Sequence, residues 1–128
     1  MTNAKPPAAI LYVEDEELLR HTVTEMLEAE GWRVETRTHG FAGLAQVESA
    51  THYDLFLFDN YMPGLTGAEL AARARLLPHR RGTPIVIISA TECGREARSA
   101  GADEFLKKPE DMHQLVKVVR RLLDSREP

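Results

Sequence analysis

Five short apolar runs alternate with five longer helical segments along this chain, and no other feature constrains its fold as strongly. The runs at residues 8–13, 53–58 and 83–88 are mostly apolar, whereas those at 32–37 and 102–106 mix apolar with charged residues. Apolar runs of this length are typical of strands that are buried on both faces of a parallel sheet. Because a helix follows each strand, the sequence predicts a parallel sheet with helices on both faces, an α/β fold.

The order of the strands follows from the same runs. The three mostly apolar strands should lie in the centre of the sheet and the two mixed ones at its edges. This arrangement matches the doubly wound, flavodoxin-like order 2-1-3-4-5 of a five-stranded sheet. Helices are predicted over residues 16–29, 40–49, 67–77, 92–100 and 112–123. We expect one domain over residues 8–124, with loose ends at 1–7 and 125–128.

Polar residues stand where the apolar runs end. Glu14 and Asp15 follow the first run, Asp59 follows the third, Ser89 follows the fourth and Lys108 comes after the fifth. Since the carboxyl ends of parallel strands meet at one edge of the sheet, these side chains should converge there. In open α/β sheets that edge, between the first and third strands, is where ligands bind.

The chemistry of this set indicates a phosphoryl-transfer site. Three carboxylates at one edge repel each other, which raises their pKa values or requires a cation, and hard oxygen ligands suit Mg²⁺. Lys108 and Ser89 would provide a positive charge and a hydroxyl for a phosphate group. Asp59 then has the properties of a nucleophile that accepts a phosphoryl group as an acyl phosphate.

Bulk properties exclude several other classes of protein. A chain of 128 residues suits one compact domain, and its net charge of −4 argues against nucleic acid as a direct partner. Cys93 is the single cysteine, so no internal disulfide is possible. No apolar run approaches the length of a membrane span, and residues 1–7 do not form a secretory signal. We therefore expect a cytoplasmic protein without a membrane partner.

Five motifs surround these polar residues in chain order: ILYVEDE at 10–16, DLFLFD at 54–59, MPGLTG at 62–67, PIVIISA at 84–90 and GADEFLKKP at 101–109. In this order and at these spacings they resemble the receiver domain of the response regulators of two-component phosphorelay systems. The resemblance extends over roughly residues 8–124 and includes the single-domain, chemotaxis-regulator-like form of the family.

The resemblance implies a role for each polar residue. Asp59 would be the phosphoacceptor, and Mg²⁺ would be held by Asp15, by Asp59, by Glu14 through a water and by the backbone carbonyl of Tyr61. The phosphoryl group would be bound by Ser89, by Lys108 and by the amides of Asn60 and Ala90. Phe105 would be an aromatic switch that swings inward when Ser89 moves, and the Lys108–Pro109 bond would be cis.

The resemblance also implies partners. A sensor histidine kinase or a histidine phosphotransfer protein would donate the phosphoryl group, and the chain would catalyse only its own phosphorylation and dephosphorylation. The output contact, with an unknown partner or a second copy in a weak homodimer, is expected on the face formed by the fourth helix, fifth strand and fifth helix. The residues expected there are Arg95, Arg98, Asp103, Glu104, Lys117 and Arg121.

Other functions remain open from the residues alone. The chain is either a single-domain regulator or a receiver module excised from a larger hybrid kinase or DNA-binding regulator. An aspartyl-phosphate phosphatase of the haloacid dehalogenase type would carry a second acid two residues after Asp59, where this chain has Tyr61. A flavodoxin-like electron carrier would need a phosphate cradle after the first strand, where residues 14–17 are all acidic.

Overall fold

A five-stranded parallel sheet forms the centre of the chain in the computed structural model, which describes residues 6–125. The strands are β1 (Ala9–Val13), β2 (Arg33–Arg37), β3 (Leu55–Asp59), β4 (Ile85–Ser89) and β5 (Glu104–Lys107). Their order in the sheet is β2-β1-β3-β4-β5, and every pairing is parallel. The predicted doubly wound α/β fold, with β1, β3 and β4 in the centre, is confirmed.

Helices cover both faces of this sheet. They are α1 (Glu17–Glu28), α2 (Gly40–Glu48), α3 (Gly67–Leu76), α4 (Gly94–Ser99) and α5 (Leu115–Asp124). Alternate residues of the central strands point to opposite faces, which gives two apolar layers. One layer contains Leu11, Phe56 and Phe58 against α2, α3 and α4, and the other contains strand residues such as Leu57 against α1 and α5. Within residues 6–125, no helix is long and apolar enough to cross a membrane.

Two helix starts differ from the prediction by more than one residue. The fourth helix begins at Gly94 and not at residue 92, because the carboxylate of Glu92 accepts a hydrogen bond from the Gly94 amide at 2.8 Å. Gly94 therefore opens this helix and does not interrupt it. The last helix begins at Leu115, after a separate 3₁₀ turn at Met112–Gln114. Residues 1–5 and 126–128 of the predicted loose ends lie outside the described residues.

A buried arginine anchors the end of the sheet opposite the strand carboxyl ends. Arg80 is only 2% exposed, in a 3₁₀ turn at Pro78–Arg80 that follows α3. Its guanidinium donates hydrogen bonds of 2.6 to 3.1 Å to four backbone carbonyls, those of Gln46, Val47, Ser49 and Thr51. It also lies 5.3 Å from the centre of the Tyr53 ring. Arg80 therefore fixes the segment between α2 and β3, and with it the strand that carries Asp59.

Candidate functional site

The parallel register brings the predicted site residues together at the carboxyl edge of the sheet. Val13 lies beside Phe58, so Glu14, the next residue, lies near Asp59. Asp59 pairs with Ile88, one residue before Ser89. Ser89 in turn pairs with Lys107, the neighbour of Lys108. Four strand ends thus place two acids, a hydroxyl and a lysine in one cleft between β1, β3, β4 and β5.

Three carboxylates form a cluster in this cleft. Glu14, Asp15 and Asp59 each offer an oxygen, and these oxygens all lie within 4.8 Å of one another. Glu14 and Asp59 are 1% and 4% exposed, while Asp15 faces solvent. A set of hard oxygen donors that is buried on one side and open on the other suits a divalent cation such as Mg²⁺, which keeps several waters when it binds.

Lys108 lies within reach of two of these carboxylates. Its Nζ donates to Oδ1 of Asp59 at 3.0 Å and lies 3.6 Å from Oε1 of Glu14. Although burial disfavours the ammonium, Asp59 and Glu14 together raise the pKa of Lys108 above its ordinary value. The lysine therefore carries a full positive charge at neutral pH and faces the carboxylate predicted to react.

The two buried acids retain protons more strongly than free carboxyls do. Burial, and then the negative charge of Asp59, raises the pKa of Glu14 from 4.5 to about 7. Burial likewise raises the pKa of Asp59, and the hydrogen bond from Lys108 opposes this only in part. One lysine is thus insufficient to compensate the acids around it, and the site has an unmet requirement for positive charge.

Ser89 is fully buried at the end of β4. Its Oγ accepts a hydrogen bond from the Thr91 amide at 3.2 Å and lies 3.3 Å from Oγ1 of Thr91. The hydroxyl is therefore held by its own loop and not by the carboxylates. Ala90, between these two residues, is exposed.

Asn60 orients the loop that follows Asp59. Its amide donates to the carbonyl of Ile88 at 2.8 Å, which extends the ladder between β3 and β4. Its side-chain oxygen accepts from the Ala68 amide at 3.0 Å, and its carbonyl accepts from the Gly67 amide at 3.1 Å. The backbone amide of Asn60 also hydrogen-bonds to the carboxylate of Asp59, which lowers the pKa of that acid. The expected contact of this amide with a phosphoryl oxygen stays a prediction.

Phe105 is the predicted aromatic switch. Its ring is 9% exposed and packs in the core, facing Gly94 at the start of α4. The resemblance implied a ring that moves inward when Ser89 moves. In this structure the ring is already buried while Ser89 keeps its hydrogen bonds to Thr91. The structure gives one position of the ring, so the predicted movement of Phe105 stays a prediction.

The predicted output face is largely exposed. Arg95, Arg98 and Lys117 are exposed, and Arg121 donates to Glu104 at 2.7 Å. Asp103 is exposed as well, and its Oδ2 accepts from the Ile85 amide at 2.8 Å and from Arg75 at 2.9 Å. These bonds join Asp103 to the amino end of β4 and to α3. The use of this face for an output contact stays a prediction.

Comparison with known proteins identifies the arrangement. The family described as the response regulator receiver domain matches residues 10–120. The response regulator ArlR of Staphylococcus saprophyticus is 34% identical over 117 residues, which are 89% of this chain and 51% of that protein. The phosphate regulon transcriptional regulatory protein PhoB of Rhizobium meliloti is 32% identical over 124 residues, which are 93% of this chain and 53% of that protein.

Solved structures of receiver domains and response regulators also resemble this chain. The receiver domain of a sensor histidine kinase from Pseudomonas aeruginosa, which has a magnesium ion in its active-site cleft, superposes with a TM-score of 0.82 at 27% identity and covers 92% of this chain and 98% of that one. The response regulator TrrA of Thermotoga maritima, in complex with Mg²⁺ and BeF, gives a TM-score of 0.79 at 30% identity and covers 90% and 98%.

The chain is a doubly wound α/β protein whose polar cleft lies at the carboxyl ends of its strands, where sheets of this class bind ligands. Within that class, this chain belongs to the response regulator receiver domain family. It spans about half the length of the regulators ArlR and PhoB that it matches. The phosphatase and flavodoxin alternatives therefore have no support.

The sequence reasoning missed one residue of this cleft, Tyr12. Its hydroxyl donates to Oε1 of Glu14 at 3.3 Å, and the whole side chain is buried. The sequence contained an indication of this contact, because Tyr12 brings a hydroxyl into an apolar run, two residues before the acid Glu14. Residues two apart on a strand point to the same face.

Proposed function

We propose that this chain is a phosphorylation-dependent switch of a two-component system that accepts a phosphoryl group on Asp59. The observation that carries the proposal is the 3.0 Å hydrogen bond from Lys108 to a carboxylate that also lies in a cluster of three acids. A nucleophilic carboxylate, a fixed positive charge and a set of cation ligands are the parts that phosphoryl transfer requires.

In the proposed reaction, an oxygen of Asp59 attacks the phosphorus atom of a phosphohistidine on a partner protein. The new P–O bond forms as the P–N bond breaks, and the imidazole nitrogen leaves with the electron pair of that bond. Lys108, already bonded to Oδ1, neutralises negative charge as the acyl phosphate forms. The partner is a sensor histidine kinase or a histidine phosphotransfer protein.

The donor set of the cleft fits Mg²⁺. Asp15 and Asp59 would bind the ion directly, Glu14 through a water, and Tyr61 through its backbone carbonyl. When bound, the ion supplies positive charge to the carboxylates and to the phosphoryl oxygens. The two magnesium-containing receiver structures of Pseudomonas and Thermotoga support this assignment.

The remaining site residues would read the phosphoryl group. The hydroxyl of Ser89 exchanges its weak contacts with Thr91 for a charge-assisted hydrogen bond to the phosphoryl oxygens. The amides of Asn60 and Ala90 and the ammonium of Lys108 would bind the same group. The shift of Ser89 changes the packing of Phe105 against α4 and so alters the face formed by α4, β5 and α5, a shift between existing states.

The cellular context is part of the same proposal. The switch acts in the cytoplasm, binds no nucleic acid itself, and has no enzymatic activity besides its own phosphorylation and dephosphorylation. Its output contact is with another protein or, weakly, with a second copy. It acts either alone or as the receiver module of a larger kinase or DNA-binding regulator.

Labelling with acetyl phosphate tests the assignment of Asp59. With Mg²⁺, the wild-type protein should gain one phosphoryl group by intact-mass analysis, and Asp59→Asn should gain none. Asp124→Asn, which alters an exposed acid on α5, is the matched control and should label like wild type. Asp15→Asn should label slowly, because it retains the acceptor and loses a metal ligand. Undiminished labelling of Asp59→Asn would overturn the assignment.

Hydrogen exchange tests the coupling to the output face. Binding of beryllofluoride, a phosphoryl mimic, should change the protection of amides in residues 91–106 as well as at the strand ends. α4 has only six residues and buries few large side chains, so it is the element expected to respond. Changes confined to the strand ends would contradict the coupling.

A further inference from the structure

The Tyr12 hydroxyl is the feature of the cleft that the proposed function does not use. Tyr12 lies in the fourth position of β1, its side chain 0% exposed in the apolar layer beneath α1 and α5. Among residues 6–125, its hydroxyl has one hydrogen-bond partner, Oε1 of Glu14. A phenol is protonated at neutral pH, so this hydroxyl donates its proton to the carboxylate.

Two protein donors hold the carboxylate of Glu14, one at each oxygen. Oε1 accepts from the Tyr12 hydroxyl at 3.3 Å, and Oε2 accepts from the amide of Glu16 at 3.2 Å. Nζ of Lys108 lies 3.6 Å from Oε1, an ion-pair distance that is too long for a hydrogen bond. A carboxylate has about four acceptor positions, so about two remain for a water at a metal ion.

Because the side chain of glutamate is flexible, the carboxylate of Glu14 keeps one orientation only if hydrogen bonds hold it. Glu14 has one more rotatable bond than an aspartate would have at this position, and an ordered long side chain loses more rotamer freedom. The amide of Glu16 fixes Oε2 from the solvent side, and the Tyr12 hydroxyl fixes Oε1 from the core side. Held at both oxygens, the carboxylate keeps a single orientation toward Asp15 and Asp59.

We infer that Tyr12 is a positioning residue of the cation site, which acts through Glu14 by holding its carboxylate in the orientation that binds a divalent cation. This inference rests on the proposed function for the use of the site, but it concerns cation binding, which is measured without phosphorylation. Tyr12 touches neither the acceptor nor the cation.

Manganese binding, followed by the electron paramagnetic resonance signal of free Mn²⁺, tests the inference directly. Tyr12→Phe removes only the hydroxyl and should weaken Mn²⁺ binding about 3- to 10-fold, the equivalent of one long hydrogen bond. Tyr53→Phe is the matched control, because it removes another buried hydroxyl, one bonded to Glu35 and Gln46 away from the cleft. That variant should bind Mn²⁺ as wild type does.

A double-mutant comparison separates positioning from a general structural effect. Glu14→Asp keeps the charge but shortens the side chain by one methylene, which withdraws it from the already long contact with Tyr12. In that background, Tyr12→Phe should change the dissociation constant of Mn²⁺ by less than about twofold. An equal loss in both backgrounds would overturn the inference, since Tyr12 would then act on the fold and not through Glu14.

The kinetics of labelling supply a second readout. Tyr12→Phe should raise the Mg²⁺ concentration that gives half the maximal rate while leaving the maximal rate unchanged. Wild-type Mn²⁺ affinity in Tyr12→Phe would refute the inference even if Asp59 is labelled normally. Conversely, an Asp59 that is never labelled would refute the proposed function, while the Mn²⁺ measurements would still decide the role of Tyr12.

Discussion

The raised pKa of Glu14 predicts that this carboxylate destabilises the metal-free protein at neutral and higher pH. A pKa raised from 4.5 to about 7 means that the native state binds a proton that the unfolded state has lost. Between these two values stability falls as pH rises, because the native state holds more protons than the unfolded state. Integrated over that window, the loss is at most about 3 kcal/mol.

Replacement of Glu14 by glutamine should therefore stabilise the protein at pH 8 and have little effect at pH 5. At pH 5 the native wild-type side chain is already neutral, so the amide replaces a group of similar shape and the same charge. At pH 8 the variant avoids a buried negative charge beside Asp59, and we expect a gain of about 1 to 3 kcal/mol in the free energy of unfolding. Part of the pH dependence should remain, since the pKa of Asp59 is also raised.

Urea unfolding in a chelator, repeated from pH 5 to pH 8, measures this difference. Glu17→Gln is the control, because Glu17 is exposed in the first turn of α1 and its charge favours the helix dipole. That variant should be slightly less stable than wild type, the opposite sign. If wild type and Glu14→Gln lose stability in parallel from pH 5 to pH 8, the electrostatic account of the site is refuted.

Three further predictions concern the scaffold and the acyl phosphate. Arg80→Met should destabilise by about 2 to 4 kcal/mol in urea unfolding, because it leaves four carbonyls without their donor, whereas its exposed neighbour Arg81→Met should change stability by less than about 0.5 kcal/mol. Gly67→Ala should cost about 1 to 3 kcal/mol, since a Cβ there would lie 2.7 Å from the Asp59 carbonyl oxygen, whereas Gly82→Ala meets nothing within 4 Å and should be neutral. Tyr61→Asn should hasten loss of the phosphoryl group in a mass-spectrometric time course, because the half-exposed ring partly screens attacking water; unchanged or slower decay would contradict that screening.

The strand ends were predictable because residue type and run length fix them locally. Each mostly apolar run ends at a polar residue, and parallel pairing then brings the ends together without further information. The pairing of Val13 with Phe58 is enough to carry Glu14 to Asp59. The predicted cis bond between Lys108 and Pro109 is also present, as the resemblance implied.

Features that depend on contacts between distant segments were not predictable in the same way. Arg80 stands in a polar, basic run after a proline, a pattern typical of an exposed loop, yet its carbonyl partners lie 29 to 34 residues away. Asp103 is an exposed acid, but its hydrogen bonds to Arg75 on α3 and to the Ile85 amide join segments that the sequence alone does not place together. The start of α4 was not predictable either. Glutamate is common both inside a helix and just before one, and only the hydrogen bond from the Gly94 amide to the Glu92 carboxylate shows that Glu92 precedes this helix.

The charges of the cleft connect its stability with its function. With all carboxylates ionised, Glu14, Asp15 and Asp59 carry two more charges than Lys108 can neutralise. The metal-free protein reduces this excess by retaining a proton on Glu14, whose pKa of about 7 is set by burial and by Asp59.

A divalent cation neutralises the same excess, so proton and cation compete for one carboxylate, and cation binding near neutral pH should release protons. Calorimetric titration with Mg²⁺ at pH 6.5, in buffers of different ionisation enthalpy, measures that release, and Glu14→Gln should lose most of it. In the proposed reaction, phosphorylation would replace the single charge of Asp59 by nearly two, which Lys108 alone cannot balance. We therefore expect the cation to be bound when the phosphoryl group arrives. A heat of Mg²⁺ binding that is independent of buffer would show that Glu14 is not the group at which proton and cation compete.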